Sequence, residues 1–446
     1  MATRRLRSRS GRTAAIAGLV GAALVLAGCG SGGSSAGGGS SKTRGTTITV
    51  ALHYPAPPAS TLAAFTKQSG IKVKWVYVDW DSLQTKISAA ATAKTYFADA
   101  TDVDWSRVGQ LGKLDWFYPM EDYVNTSALK SDMPQLASFT AGNHVVGIPF
   151  DASYMVTTVN KKMFKQAGIT TMPTTIDQYT KDLQQVRSKG VVKYPLNIPF
   201  AAAEGLSTYW YETTRAFGGS LLDDHDQPLF TSPDSAGYKA AQWMVDAMRT
   251  GLVPPGNINV TDSQGEQTLM GKGAVASTFS DYSGLVGVLY NDKSQSSVAG
   301  DVGYLKTPVA SGTATNLSNP DGIGIPKQAK YPKAAAEFIK WFTAANTQEQ
   351  FAGLQGSGGT WSAFTLPSHL SAVQKMSTAG RLAGGQTLAE LLKTSQPVFS
   401  HGAPTWYPKF SNAVYTNLHA AATGSKSVDQ AIKAISDATK SFSSGS

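Results

Sequence analysis

The sequence predicts an α/β protein whose strands and helices alternate around mostly parallel sheets, organised as two domains. Three observations carry that expectation. Short β-branched or alternating runs such as "TTITVAL" and "IKVKWVYV" are separated and followed by amphipathic helical stretches. About 400 residues follow a Gly/Ser-rich segment, enough for more than one core. The single cysteine, Cys29, leaves no disulfide framework, so burial must hold the fold.

The elements follow in order. Thr46 to Leu52 reads as a buried strand, ended by Pro55, Pro57 and Pro58. Leu62, Ala64 and Phe65 fit an amphipathic helix that stops near Gly70. "IKVKWVYV" alternates as a second strand, and Leu83, Ile87 and Ala90 begin another helix. A third strand is expected around Ala98 to Val103. Ligands of such sheets sit beyond the carboxyl ends of the strands. That directs attention to His53-Tyr54, Asp79-Trp80 and Asp104-Trp105. The middle is helical and aromatic from Gly205 to Gly219. A further helix starts at Ser232-Pro233-Asp234 and closes at Gly251, before Pro254-Pro255. "AAAEFIKWFTA" and "LAELLKTS" are helices, and a C-terminal helix puts Val428, Ile432 and Ile435 on one face. Trp75, Trp243 and Trp341 are expected in cores.

The N-terminus has a different character. Arg4, Arg5, Arg7, Arg9 and Arg12 precede an apolar run from Thr13 to Leu26. That run has the length of a signal-peptide core and falls short of the roughly 20 residues that span a bilayer. Leu26-Ala27-Gly28-Cys29 resembles the lipobox of bacterial lipoproteins. The resemblance implies cleavage before Cys29 and acylation of that cysteine; an ordinary secretory signal with an incidental cysteine is the alternative. Export by the general or the twin-arginine route stays open. Gly30 to Ser41 is only Gly, Ser and Ala, a flexible tether. Gly33 to Gly37 matches G-x-S-x-G, but a nucleophile elbow needs a strand before it and a helix after it, which a tether does not supply.

The formal net charge is +9, from 39 basic and 30 acidic residues, and about +4 without the five N-terminal arginines. No dense basic run follows them, so nucleic acid is not an expected partner. Asp223-Asp224-His225-Asp226 looks like a metal cluster, but four adjacent residues in a turn do not converge on one ion. Neither a metal nor a cofactor is expected.

"FTKQSGIKVKWVYVDWDSLQTKI", "VVGIPFDASYMVTTVNKKMFKQAGI", "AFGGSLLDD…FTSPDSAGYKAAQWMVD", "GLVPP", "MGKGAVASTFSDY" and "IGIPKQAKYPKAAAEFIKWFT" stand in one order along the chain. In that order they resemble the family 1 extracellular solute-binding proteins, the carbohydrate-binding components of ABC importers. The resemblance runs from about Thr46 to Phe442. It implies a two-lobe periplasmic-binding-protein-like fold of type II, with discontinuous α/β lobes joined by hinge segments and closing on a ligand. The implied organisation is a signal peptide at 1–28, a lipid-anchored tether at 29–45, a first lobe at 46–157 and 319–368, and a second at 158–318 and 369–446. Crossings are expected near Met155 to Asn160, Ser318 to Pro326 and Thr365 to Leu370. The resemblance also implies a monomer, held on the extracytoplasmic face of the cell membrane by its lipid, that delivers a carbohydrate to an ABC permease.

A neutral sugar is held by aromatic faces and by carboxylates that accept from its hydroxyls. Tyr54, Asp79-Trp80, Asp104-Trp105, Asp151 with Tyr154, and Asp281-Tyr282 supply such types in or near loops. By resemblance, Asp104 and Trp105 face the sugar from the first lobe. Tyr209, Trp210, Phe279 and Trp406 match aromatic positions of the second lobe, and Trp361 lies in a Gly-rich cleft-side loop. Each of these has a bland alternative as core. Two other functions stay open. One is an exported glycosidase using two carboxylates. The other is the same fold with another solute: glycerol phosphate, a peptide or a metal chelate. The arginines Arg107, Arg187, Arg215, Arg249 and Arg381 are scattered, which favours a neutral ligand.

Overall fold

The computed structural model describes residues 43–443, apart from 263, 314, 352–354, 357–358, 361–365, 383 and 400–401. The span Lys42–Ser446 forms one compact unit and contains every strand, helix and core residue described below. Within it, two sheets carry the two lobes.

The first sheet has five strands, in the order Lys72–Tyr77, Thr47–Leu52, Ala100–Asp104, Asp321–Gly324, Ile148–Pro149. The first three are parallel, with Thr47 opposite Lys72 and Val50 opposite Ala100. Ile48, Val50 and Leu52 are fully buried on one face and Ala51 on the other, as a strand covered by helices on both sides requires. Lys72–Tyr77 is the edge strand, and its exposed Lys72 and Lys74 discourage pairing with another chain. Asp321–Gly324 enters antiparallel to Ala100–Asp104, because the chain returns to this sheet from the second one. The sheet is therefore mixed rather than mostly parallel.

The helix Ala59–Ser69 stops at Gly70, whose φ of 77° only glycine adopts freely and whose N–H returns to the Thr66 carbonyl. It packs with Pro332–Phe342 over one face. There Phe65 meets Phe338 edge-on at 5.4 Å and Trp341 at 4.7 Å. On the other face lies Trp80–Ala93, whose first turn is capped by Asp79 accepting from the Ser82 N–H at 3.1 Å.

The second sheet runs Val302–Leu305, Met155–Asn160, Ser277–Tyr282, Leu196–Asn197. Only the last pair is parallel. Met155–Asn160, expected as a crossing, is an interior strand buried along its length; the connection from the first sheet is 150–154. Helices Glu204–Ala216, Ala236–Arg249, Tyr407–Ala422 and Val428–Ser443 are among those that build the rest of this lobe. Ser207 and Ser411 hydrogen-bond where the first and third of these meet, and Tyr211 stacks on Phe410 at 6.0 Å.

The return to the first sheet is tied down by Glu212. Its carboxylate accepts from the Leu317 N–H at 2.6 Å and from Asn316 at 3.3 Å. Burial pushes this carboxyl up to about 7 despite those donors. No helix among the described residues is long and apolar enough to cross a membrane.

Candidate functional site

The carboxyl ends of the three parallel strands lie at one edge of the first sheet. Asp321 joins them there, paired in register with Asp104. Asp102 and Asp104 share one face of their strand, about 6.6 Å apart along it. Trp80 and Gln84 share one face of the helix above, about 6 Å apart. The two spacings match, so each aspartate meets one donor. Gln84 Nε2 donates to Asp102 Oδ2 at 2.6 Å, and Trp80 Nε1 donates to Asp104 Oδ2 at 2.8 Å. The other oxygen of Asp104 accepts from the Ser106 N–H at 2.8 Å and from the Ser106 hydroxyl. Burial pushes the Asp104 carboxyl up, and Arg107 and Ser106 only partly offset it. The Arg107 guanidinium stands 5.6 Å from the Trp80 ring centre.

The second lobe meets this edge with its own polar groups. Arg107 Nη2 lies 3.4 Å from Glu204 Oε2. Glu204 opens the helix Glu204–Ala216, where the helix dipole favours an anion. The Tyr407 hydroxyl donates to the other Glu204 oxygen, and the Tyr407 ring is 5.3 Å from Trp105. The Tyr282 hydroxyl donates to Asp262. Burial raises the Asp262 carboxyl, and the Asp81 and Glu204 charges add to the rise. Just before Tyr407, Ala403 exchanges backbone hydrogen bonds with the first lobe, to Trp105 at 3.2 Å and from Gly109 at 3.0 Å. A Cβ on Gly109 would fall 2.2 Å from the Ala403 carbonyl oxygen, so this approach requires glycine.

The residues expected from sequence divide into two groups. Trp80, Asp104 and Tyr54 come together at the first-lobe edge, and Tyr282 stands on the second-lobe side. Trp105 is adjacent but 4% exposed, its Nε1 donating to Asn319 at 2.7 Å. Asp79 is an exposed helix cap. Asp151 is fully buried and accepts from the Ser153 N–H. The others are placed in cores. Tyr154 donates to the Leu388 carbonyl, and Tyr209 to that of Asn197. Trp210 donates to Gly237 and meets Phe230 edge-on. Phe279 packs between Tyr179 and Trp243. Asp281 accepts from Thr158, Tyr290 and the Tyr282 N–H. Trp406 is 5% exposed, edge-on to Phe399 and Phe410. For Tyr209 and Trp210 the reason is packing: the Glu204–Ala216 helix is buried on nearly every side, so neighbouring aromatics both face cores. Cys29 and Trp361 lie outside the described residues.

Sequence reasoning pointed to the His53-Tyr54 loop but gave His53 no role, and it passed over Asp102 and Asp321 beside it. His53 Nδ1 is 3.7 Å from Asp102 Oδ1, and its Nε2 is 3.6 Å from Asp321 Oδ2. Tyr54 donates to Asp321 at 2.7 Å. Burial pulls the His53 imidazole down, but Asp321, then Asp102 and Asp104, outweigh it and hold it at about 9. The Asp-x-Asp alternation of "TDVDW" was the available signal for Asp102. Glu204, Asp262 and Tyr407 have none, since long-range folding brings them here.

The profile of the family described as bacterial extracellular solute-binding protein matches residues 45–349, well over half of the chain. A binding protein of Brucella abortus (strain 2308) is 23% identical over 193 residues, which is 42% of this chain and 45% of the relative. The chain thus spans under half the length of the curated relatives it matches. Solved structures resemble it over nearly their whole length. Maltose-bound MalE3 of T. maritima has a TM-score of 0.75 at 19% identity, covering 89% of this chain and 99% of that one. An ABC transporter solute-binding protein of Agrobacterium radiobacter K84, in complex with ribitol, has a TM-score of 0.76 at 22% identity, covering 91% and 100%. These likenesses show the two-lobe fold of type II periplasmic binding proteins. With the profile match over most of the folded unit, the chain belongs to the bacterial extracellular solute-binding protein family.

Proposed function

We propose that this chain is an extracytoplasmic receptor of an ABC importer that binds a sugar or polyol between its lobes and hands it to a membrane permease. The observation that carries the reading is the facing of Trp80, Asp104 and Arg107 by Glu204, Asp262, Tyr282 and Tyr407. Indole and phenol rings suit the C–H faces of a sugar, and fixed carboxylates accept from its hydroxyls. The maltose and ribitol held by its structural neighbours support the same ligand class.

The charge balance argues against glycerol phosphate or another anionic solute. Arg107 and His53 stand among Asp81, Asp102, Asp104, Glu204, Asp262 and Asp321. The glycosidase reading needs a carboxylic acid free to give up its proton. Asp104 is instead held by Trp80 and Ser106, and Glu204 by Arg107 and Tyr407. We read the protein as a binding module rather than an enzyme, on the strength of its family. Prolonged incubation with oligosaccharides should return them intact; hydrolysis products would reverse that conclusion.

Titration calorimetry across mono- and oligosaccharides and polyols tests the receptor. A hydrogen bond to a charged group contributes roughly 1.5–3 kcal/mol. Asp104→Ala should therefore weaken binding about tenfold to a hundredfold with the melting transition retained. Wild-type affinity in that variant would remove this edge from the site. Cys29 is the proposed lipid anchor and the Gly/Ser segment after it the tether. Cys29→Ala should lose nearly all palmitate labelling, and equal labelling of both proteins would refute the anchor.

A further inference from the structure

The geometry points to a divalent transition-metal site formed by His53, Asp102 and Asp321 at the first-lobe edge. One nitrogen of His53 and one oxygen from each carboxylate lie within 4.8 Å of one another. A tetrahedral zinc ion with bonds of about 2.0–2.2 Å holds neighbouring ligand atoms roughly 3.3 Å apart. His53 offers one of its two nitrogens to an ion, and its 3.7 Å and 3.6 Å approaches to Asp102 and Asp321 are made by opposite nitrogens, so the three ligand atoms must draw together from within 4.8 Å by rotation of the imidazole or a carboxylate.

The second observation is independent of the clustering. Asp102 Oδ1 is buried, its side chain 0% exposed, and has no hydrogen-bond donor. His53 Nδ1 faces it at 3.7 Å, an ion-pair separation beyond hydrogen-bond reach, and makes no hydrogen bond either. Buried polar atoms left in this state are rare in folded proteins, and binding an ion is one of the few roles that accounts for them. A dication displaces to solvent the proton that the imidazole otherwise holds, and two carboxylates and a neutral imidazole around M²⁺ then sum to zero.

The surroundings fit a ligating site. Gln84 orients Asp102 through its other oxygen, and Tyr54 orients Asp321; such outer partners fix ligand geometry in metal sites. His53 and Asp321 keep 13% and 14% of their side-chain surface exposed. That leaves an entry path and room for a water or a solute hydroxyl in the fourth position. The imidazole selects a first-row transition ion over calcium, which takes oxygen ligands. The site belongs to one lobe and does not depend on the sugar reading.

The test is calorimetric titration of the metal-stripped unit Lys42–Ser446 with zinc chloride, and with calcium chloride in parallel. Wild type should bind one equivalent of zinc and prefer it to calcium. Asp102→Asn and His53→Gln should each weaken zinc binding at least tenfold. His225→Ala, in the exposed Asp223–Asp226 turn, should leave it unchanged. Diffraction recorded at the zinc edge should place the ion between His53, Asp102 and Asp321. The proposal is overturned if wild type takes up no zinc or prefers calcium. It is equally overturned if the ion lies elsewhere, or if a folded Asp102→Asn binds like wild type.

Discussion

Asp102 and Asp281 are both buried aspartates on interior strands, one in each sheet, and they differ in what surrounds them. Asp281 accepts from the Thr158 hydroxyl at 2.6 Å, the Tyr290 hydroxyl at 3.0 Å and the Tyr282 N–H at 2.9 Å. Asp102 accepts from Gln84 alone and leaves one oxygen without a donor. Burial pushes the first carboxyl up to about 6, while the second is raised well above the ordinary carboxylate range. Burial therefore does not tell a binding group from a structural one. The inventory of donors separates these two, since Asp102 keeps an oxygen that no donor reaches while both Asp281 oxygens are engaged.

Removing each group should break the comparison in opposite ways, and the largest effect belongs to Asp281. Asp281→Ala strands two buried hydroxyls and one N–H, each costing about 1–3 kcal/mol when left unsatisfied, although the hydroxyls can rotate to new partners. We expect a loss of about 3 kcal/mol in denaturant unfolding of the Lys42–Ser446 unit. A loss below about 1 kcal/mol would mean that the donors are not coupled to this carboxylate.

Glu212 shows what a buried carboxyl does when its role is to tie two segments together. Its folded value of about 7 lies above the ordinary 4.5, so folding favours the protonated form. That contribution is complete below pH 4.5 and is lost as pH rises through 7. Glutamine does not titrate, so Glu212→Gln should gain about 3 kcal/mol relative to wild type between about pH 4 and about pH 8. Parallel pH-stability curves for the two proteins would remove Glu212 as the source of that slope.

How much of this was legible in the sequence follows from how local each signal is. The strands Thr47–Leu52 and Lys72–Tyr77 and the helix through Leu83, Ile87 and Ala90 were readable because hydrophobic period is local, whereas its start at Trp80 under the Asp79 cap reads as loop in the sequence. The placement of Trp80 and Asp104 at the carboxyl ends of strands of one sheet was readable too. Residue type misled for Tyr209, Trp210 and Phe279, since an aromatic that can stack on a sugar can equally fill a core. Burial on both sides of a helix depends on its neighbours, here Ala236–Arg249 and Tyr407–Ala422. Glu204, Asp262 and Tyr407 were invisible for the same reason: Tyr407 is 203 positions from the glutamate it contacts. Asp321 also escaped notice, because only the antiparallel return of its strand places it opposite Asp104.

The smallest expected effect is the most informative about the comparison. In metal-free protein, Asp102→Asn keeps the acceptor that Gln84 needs and replaces the unmatched oxygen by an N–H₂ donor facing His53 and Asp321. It also removes the charge that burial and the neighbouring Asp321 and Asp104 disfavour. Losing the attraction of His53 opposes that gain, so the two contributions nearly cancel. Replacing a buried charge by a neutral group of the same shape is often neutral or stabilising when no donor is orphaned. We therefore expect the unfolding free energy to change by less than about 1 kcal/mol, in either direction. A loss comparable with that of Asp281→Ala would make Asp102 a structural group like its counterpart, and the difference between the two edges would disappear. A near-neutral result would leave Asp102 as a carboxylate that the fold tolerates rather than needs, which is the condition under which a ligand can use it.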